Sequence, residues 1–133
     1  MVADVACTIG PMKLALDFLD VGTSDLGVQI RLHIEYTGSF QRFEWTVEPC
    51  WIEYEVLRQF ELDLRDGRSA HLDDMSQYPL LHFEGNAFEE RLTLNPPTER
   101  QSRDGEAMTA QLSILPGSMR ALHASLNEFA KWW

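Results

Sequence analysis

The sequence predicts one α+β domain spanning residues 1–133, built as an antiparallel sheet of about six strands with one or two helices on one face. Three observations carry that expectation. Residues 28–36 alternate, with Val28, Ile30, Leu32, Ile34 and Tyr36 apolar and Gln29, Arg31, His33 and Glu35 between them. Such a strand has one dry and one wet face and belongs in an antiparallel sheet. Residues 107–115 alternate in the same way through Met108, Ala110, Leu112 and Ile114. After the Pro116-Gly117-Ser118 break the period changes. Met119, Leu122, Leu126, Phe129 and Trp133 recur at three- and four-residue steps and mark an amphipathic C-terminal helix.

The remaining elements follow in order. Met12, Leu14, Leu16 and Phe18 define a strand over 12–18, and the Gly-, Ser- and Asp-rich run from Asp20 to Gly27 is a loop. Thr37-Gly38-Ser39 turns the chain into a hairpin partner, where Phe43, Trp45 and Val47 alternate with Arg42, Glu44, Thr46 and Glu48. That strand is expected to end at Pro49, which has no N–H to offer a ladder.

Residues 51–66 fit two periods. Phe60, Leu62 and Leu64 suit a strand, whereas Tyr54, Val56, Leu57, Phe60 and Leu64 suit a helix stopped by Asp66-Gly67. The local wealth of Glu, Leu, Arg and Gln favours the helix. A short strand through Ala70 and Leu72 follows, then a hairpin of 79–84 and 88–94 around Gly85-Asn86. The polar stretch from Asn95 to Gly105, with Pro96-Pro97, reads as a long loop.

Charge narrows the partners. The net charge is −10, with ten acids against four bases in residues 51–95 but four against four in residues 96–133. Nucleic acid and anionic membrane would be repelled, whereas a cationic protein would be attracted. The two cysteines, Cys7 and Cys50, have neither metal nor redox spacing and are expected as reduced thiols. With no basic leader or membrane-length apolar run read at the N-terminus or elsewhere, the expected compartment is cytoplasmic.

Catalytic chemistry is sparse. No nucleophile elbow, nucleotide-binding glycine loop or HExxH pattern occurs in the sequence. His33 with Glu35, and His82 with Glu84, each place two donors on one face of a strand, but neither pair completes a metal set. His71 with Asp73 and Asp74 lacks the spacing of a calcium loop. The expectation is no catalytic residue, no cofactor and no stoichiometric zinc or iron. The acids Glu53, Glu55, Glu61, Asp63, Asp73 and Asp74 are the candidate partner-binding residues. Trp132 joins them, because a helix that buries Trp133 leaves its neighbour near the flank.

The order QRFEWTVEP, VLRQFELDL, ERLTLNPP and EAMTAQLSILPGSMRALHASLNEFAKWW resembles small bacterial domains of the WapI-type immunity proteins. The resemblance lies in element order and apolar spacing over the last two thirds of the chain. It implies a non-enzymatic bacterial protein that binds and blocks a toxin domain. Two further readings stay open. One is a self-assembling domain that forms a homodimer through a sheet face or Trp132. The other is a small-ligand binder or enzyme with a sheet–helix pocket lined by Trp45, Tyr54 and His82.

Overall fold

Eight strands and two helices make up the fold in a computed structural model that describes residues 3–22, 26–85, 88–96 and 108–131. In chain order they are β1 Val5–Ile9, β2 Met12–Val21, β3 Gly27–Thr37, β4 Arg42–Glu53, α1 Tyr54–Asp66, β5 Ala70–Asp73, β6 Pro79–Gly85, β7 Glu90–Leu94, β8 Ala110–Ile114 and α2 Ser118–Glu128. The α+β class is as the sequence predicts. The single sheet of about six strands is not. The strands form two antiparallel sheets of four, ordered β1-β2-β3-β4 and β5-β6-β7-β8. Helix α1, 13 residues long, lies between β4 and β5 in the chain, and each run of strands pairs only within itself. Alternation in a sequence reports which side of a strand is dry but not which strand lies beside it.

Both sheets and both helices contribute to one buried cluster. The first sheet supplies Leu14, Leu16, Ile30, Leu32, Ile34 and Ile52, and the second Leu72, Leu81, Phe83 and Leu92. Helix α1 adds Leu57, Phe60 and Leu64, and its Phe60 ring lies 6.1 Å from that of Phe83 on β6. Helix α2 adds Met119, Leu122 and Leu126, and Phe129 beyond its end stacks on Phe18 of β2 at 5.0 Å. The helices are therefore not two cylinders on one sheet. Helix α1 packs chiefly on β5, α2 on β1, and the two pack on each other.

Local chemistry explains several boundaries. β1 carries less contrast than the other strands, because Ala6 is one of the two residues alternating with Val5, Cys7 and Ile9, and the sequence reading contains no strand there. It joins β2 by a two-residue turn whose first residue, Gly10, has φ +56°, a conformation glycine adopts without strain. Helix α1 stops where predicted. Gly67 takes the left-handed conformation, and the N–H groups of Gly67 and Arg68 donate to the Leu64 and Asp63 carbonyls.

β4 does not end at Pro49 but runs on to Glu53. The ladder passes from Ile30–Cys50 to Leu32–Val47, so two residues, Glu48 and Pro49, face the single Arg31. Proline is accommodated because the bulge needs no N–H there and β4 is an edge strand. A second bulge, at Leu80 between the Leu72–Leu81 and Asp73–Pro79 pairs, lets consecutive residues Leu80 and Leu81 both be buried. Among the described residues no helix is long and apolar enough to cross a membrane.

Candidate functional site

The outward face of β4 gathers the exposed acids of the first sheet. Trp45, Val47, Cys50 and Ile52 point to the core, so Glu44, Thr46, Glu48, Trp51 and Glu53 lie on the opposite side. The row continues onto the first turn of α1 at Glu55. Glu48 and Glu53 are exposed and have no ion-pair partner among the described residues, whereas Glu55 holds Arg58 at 3.1 Å. Trp51 lies half-buried between the free carboxylates, beside a hollow of about 410 Å³ that Pro49, Met75 and Gln29 help to line. Edge strand, aromatic side chain and unneutralised carboxylates thus form one continuous surface.

The sequence-predicted acids do not all belong to it. Glu53 and Glu55 do. Glu61 bonds Lys131 at 2.9 Å, and Asp63 accepts from Arg68 at 3.1 Å and from Gln59 at 3.0 Å. Asp74 is buried and accepts the N–H groups of Ser76 at 2.9 Å and Tyr78 at 3.1 Å, which holds the β5–β6 turn. Asp73 is half-buried at the end of β5. Trp132 lies outside the described residues. Glu44 and Glu48 lie outside the acid-rich segment 51–95 that the charge distribution singles out. The signal that finds them is the strand alternation itself, which sets both on the wet side of β4.

A second group sits on the same outer face, around His33. Its Nδ1 is 2.9 Å from the Thr46 hydroxyl, and its Nε2 is 3.2 Å from Glu35 Oε1 and 3.6 Å from Glu44 Oε1. The third donor, Glu44, comes from the neighbouring strand, which no spacing within β3 reveals. Lower on the same face Arg31 pairs with Asp17 at 3.3 Å.

The pair expected at His82 and Glu84 has a different surrounding. His82 lies opposite His71 on β5, and the two rings stack at 4.0 Å. Ser69 Oγ is 2.8 Å from His82 Nε2. Burial first, and the neighbouring His71 second, hold the His82 imidazole below its ordinary pKa, with Glu84 and Asp73 opposing.

Trp45, Tyr54 and His82 do not converge. Trp45 belongs to the core side of β4, Tyr54 opens α1, and His82 lies on the second sheet beside His71. A larger hollow of about 460 Å³ opens where α2 begins, lined in part by Asp66, Gly85, Glu90 and Arg120. The Glu90 carboxylate there is committed to the backbone of α2, where it accepts from the Gly117 and Met119 N–H groups. The chain matches no family model, no curated protein and no solved structure in the comparisons made.

Proposed function

We propose that this chain is a non-enzymatic, acidic protein-binding domain that docks a cationic protein through the outward face of β4 and the start of α1. The observation that carries the reading is the row Glu44, Glu48, Glu53 and Glu55 around the half-buried Trp51. Glu48 and Glu53, exposed and without an ion-pair partner among the described residues, raise the local negative potential and steer a basic partner into encounter. A tryptophan within such a row supplies apolar contact area where charge alone gives little affinity. The net charge of −10 acts in the same direction. The resemblance to WapI-type immunity proteins, with a toxin domain as the blocked partner, is compatible with this surface and makes the bacterial cytoplasm the expected setting.

The test needs a cationic partner recovered with the intact chain, followed by stopped-flow association at two salt concentrations. Reversing Glu48, Glu53 and Glu55 to Lys is expected to slow association at least tenfold and to flatten its salt dependence. Trp51→Ala is expected to act mainly on dissociation. Association that is insensitive to salt and to the triple reversal would sink the reading and leave the acidity as a solubilising feature.

A further inference from the structure

Three donor atoms meet on the outer face of the first sheet, and the pleat explains why. His33 and Glu35 are two residues apart on β3 and share a face, while Glu44 on β4 stands directly opposite Glu35. One ligand atom from each residue lies within 4.8 Å of the other two. Carboxylates placed directly opposite each other on neighbouring strands repel. This corner of the sheet therefore favours positive charge between them.

The geometry points to a site for one divalent transition-metal ion of the zinc class, held by His33 Nε2 and the carboxylates of Glu35 and Glu44, against the expectation of no zinc that spacing within single strands gives. Donors about 2.0–2.2 Å from a tetrahedral zinc ion stand about 3.3–3.6 Å from one another. The two edges from Nε2, at 3.2 and 3.6 Å, are already close to that spacing. The Glu35–Glu44 edge closes by side-chain rotation, which is open to these side chains because they are 46% and 69% exposed. Thr46 supplies the supporting contact. In the metal-bound form the Nδ1–H of His33 would donate to the hydroxyl 2.9 Å away, leaving the Nε2 lone pair for the ion. An imidazole in the set selects zinc, nickel or copper over calcium and magnesium, which prefer oxygen alone. The fourth position faces solvent and takes water. Lys13, across from Glu35 on β2, is exposed and can turn away into solvent.

The experiment is calorimetric titration of the intact chain with zinc chloride at pH 7.5, repeated on variants that keep the parent melting temperature. The expected result is one equivalent bound, with affinity reduced at least tenfold in His33→Ala and in Glu44→Gln. Thr46→Ala is expected to weaken binding by about tenfold without abolishing it, as for other groups that orient a ligand. Millimolar calcium or magnesium is expected not to compete. Absence of binding at 100-fold molar excess of zinc overturns the assignment, as does binding that survives both ligand substitutions unchanged, which would place the ion elsewhere on the chain. No partner protein is involved, and reversing Glu53 and Glu55 is expected to leave zinc affinity unchanged, so this result and the docking result fail independently.

Discussion

Glu90 on β7 caps helix α2 from 29 residues away: its carboxylate accepts the backbone N–H of Met119 at 2.9 Å and that of Gly117 as well. The helix has no side-chain cap of its own, since its N-cap is Gly117, in the left-handed conformation. A helix start leaves N–H groups without intrahelical acceptors and carries partial positive charge, so an anion there is favourable twice over. Glu90 is nearly buried, and the cap ties the second sheet to the helix that covers the first.

Removing that carboxylate leaves the buried Met119 N–H and the part-buried Gly117 N–H without their acceptor. Glu90→Ala is expected to destabilise the domain by about 1–3 kcal/mol, the range for leaving buried hydrogen-bonding groups unsatisfied. Glu90→Gln, which keeps one acceptor oxygen, is expected to lose less. Urea denaturation at constant slope measures both. Equal stability of parent and Glu90→Ala would mean that water replaces the cap without loss.

The apolar face of α2 is the second test. Leu126 is 1% exposed, and Leu126→Ala is expected to cost about 2–5 kcal/mol. Phe129 is only partly buried and stacks on Phe18, so Phe129→Ala is expected to fall at or below the low end of that range. A Phe129 variant less stable than the Leu126 variant would contradict this ordering.

Acidification probes the stacked histidines. The His82 imidazole has its folded pKa below the ordinary value, chiefly through burial and then through His71. The unfolded chain therefore takes up the proton first as pH falls. The stability contributed by the neutral ring is fully present above the unfolded value of about 6.5 and is lost as pH drops through it toward the folded value. His82→Gln is expected to reduce the fall in melting temperature between pH 7.5 and 5.5. An identical fall in parent and variant would remove His82 as the cause.

Thiol chemistry reports on the packing of β1 under α2. Both cysteines are buried thiols. Burial raises the Cys7 thiol above its ordinary pKa, and a hydrogen bond with Ser125 of α2 only partly offsets this. Cys7 is therefore expected to react slowly with a thiol reagent in the native protein and to speed up by orders of magnitude in denaturant, since the thiolate is the nucleophile. Mass spectrometry of the modified peptides assigns the site. Rapid native labelling of Cys7 would show that α2 does not cover β1.

The sequence by itself determined the class and the direction of each face. The alternation over 28–36 and the three- and four-residue steps from Met119 to Trp133 follow from strand and helix periodicity; Val28, Ile30, Leu32, Ile34, Met119, Leu122 and Leu126 are buried, Tyr36 and Phe129 are partly buried, the helix ends at Glu128, and Trp133 lies outside the described residues. Asp66-Gly67 gave the end of α1 because few residues other than glycine adopt its left-handed conformation cheaply. Residues 54–66 carry a helical and a strand period together and form the helix, and residues 79–94 are legible as a hairpin from two apolar runs about Gly85-Asn86. Tertiary structure decided which strands are neighbours, and everything that depends on neighbours followed. Two sheets replaced one because a ladder forms between strands whose partners are nowhere encoded in their own alternation. Glu44 joined His33 and Glu35 across that ladder, Pro49 entered a bulge that only the register of β3 and β4 creates, and Glu90 met the start of α2 across 29 residues of chain. Periodicity is local, whereas a carboxylate's partner is chosen by distance in space.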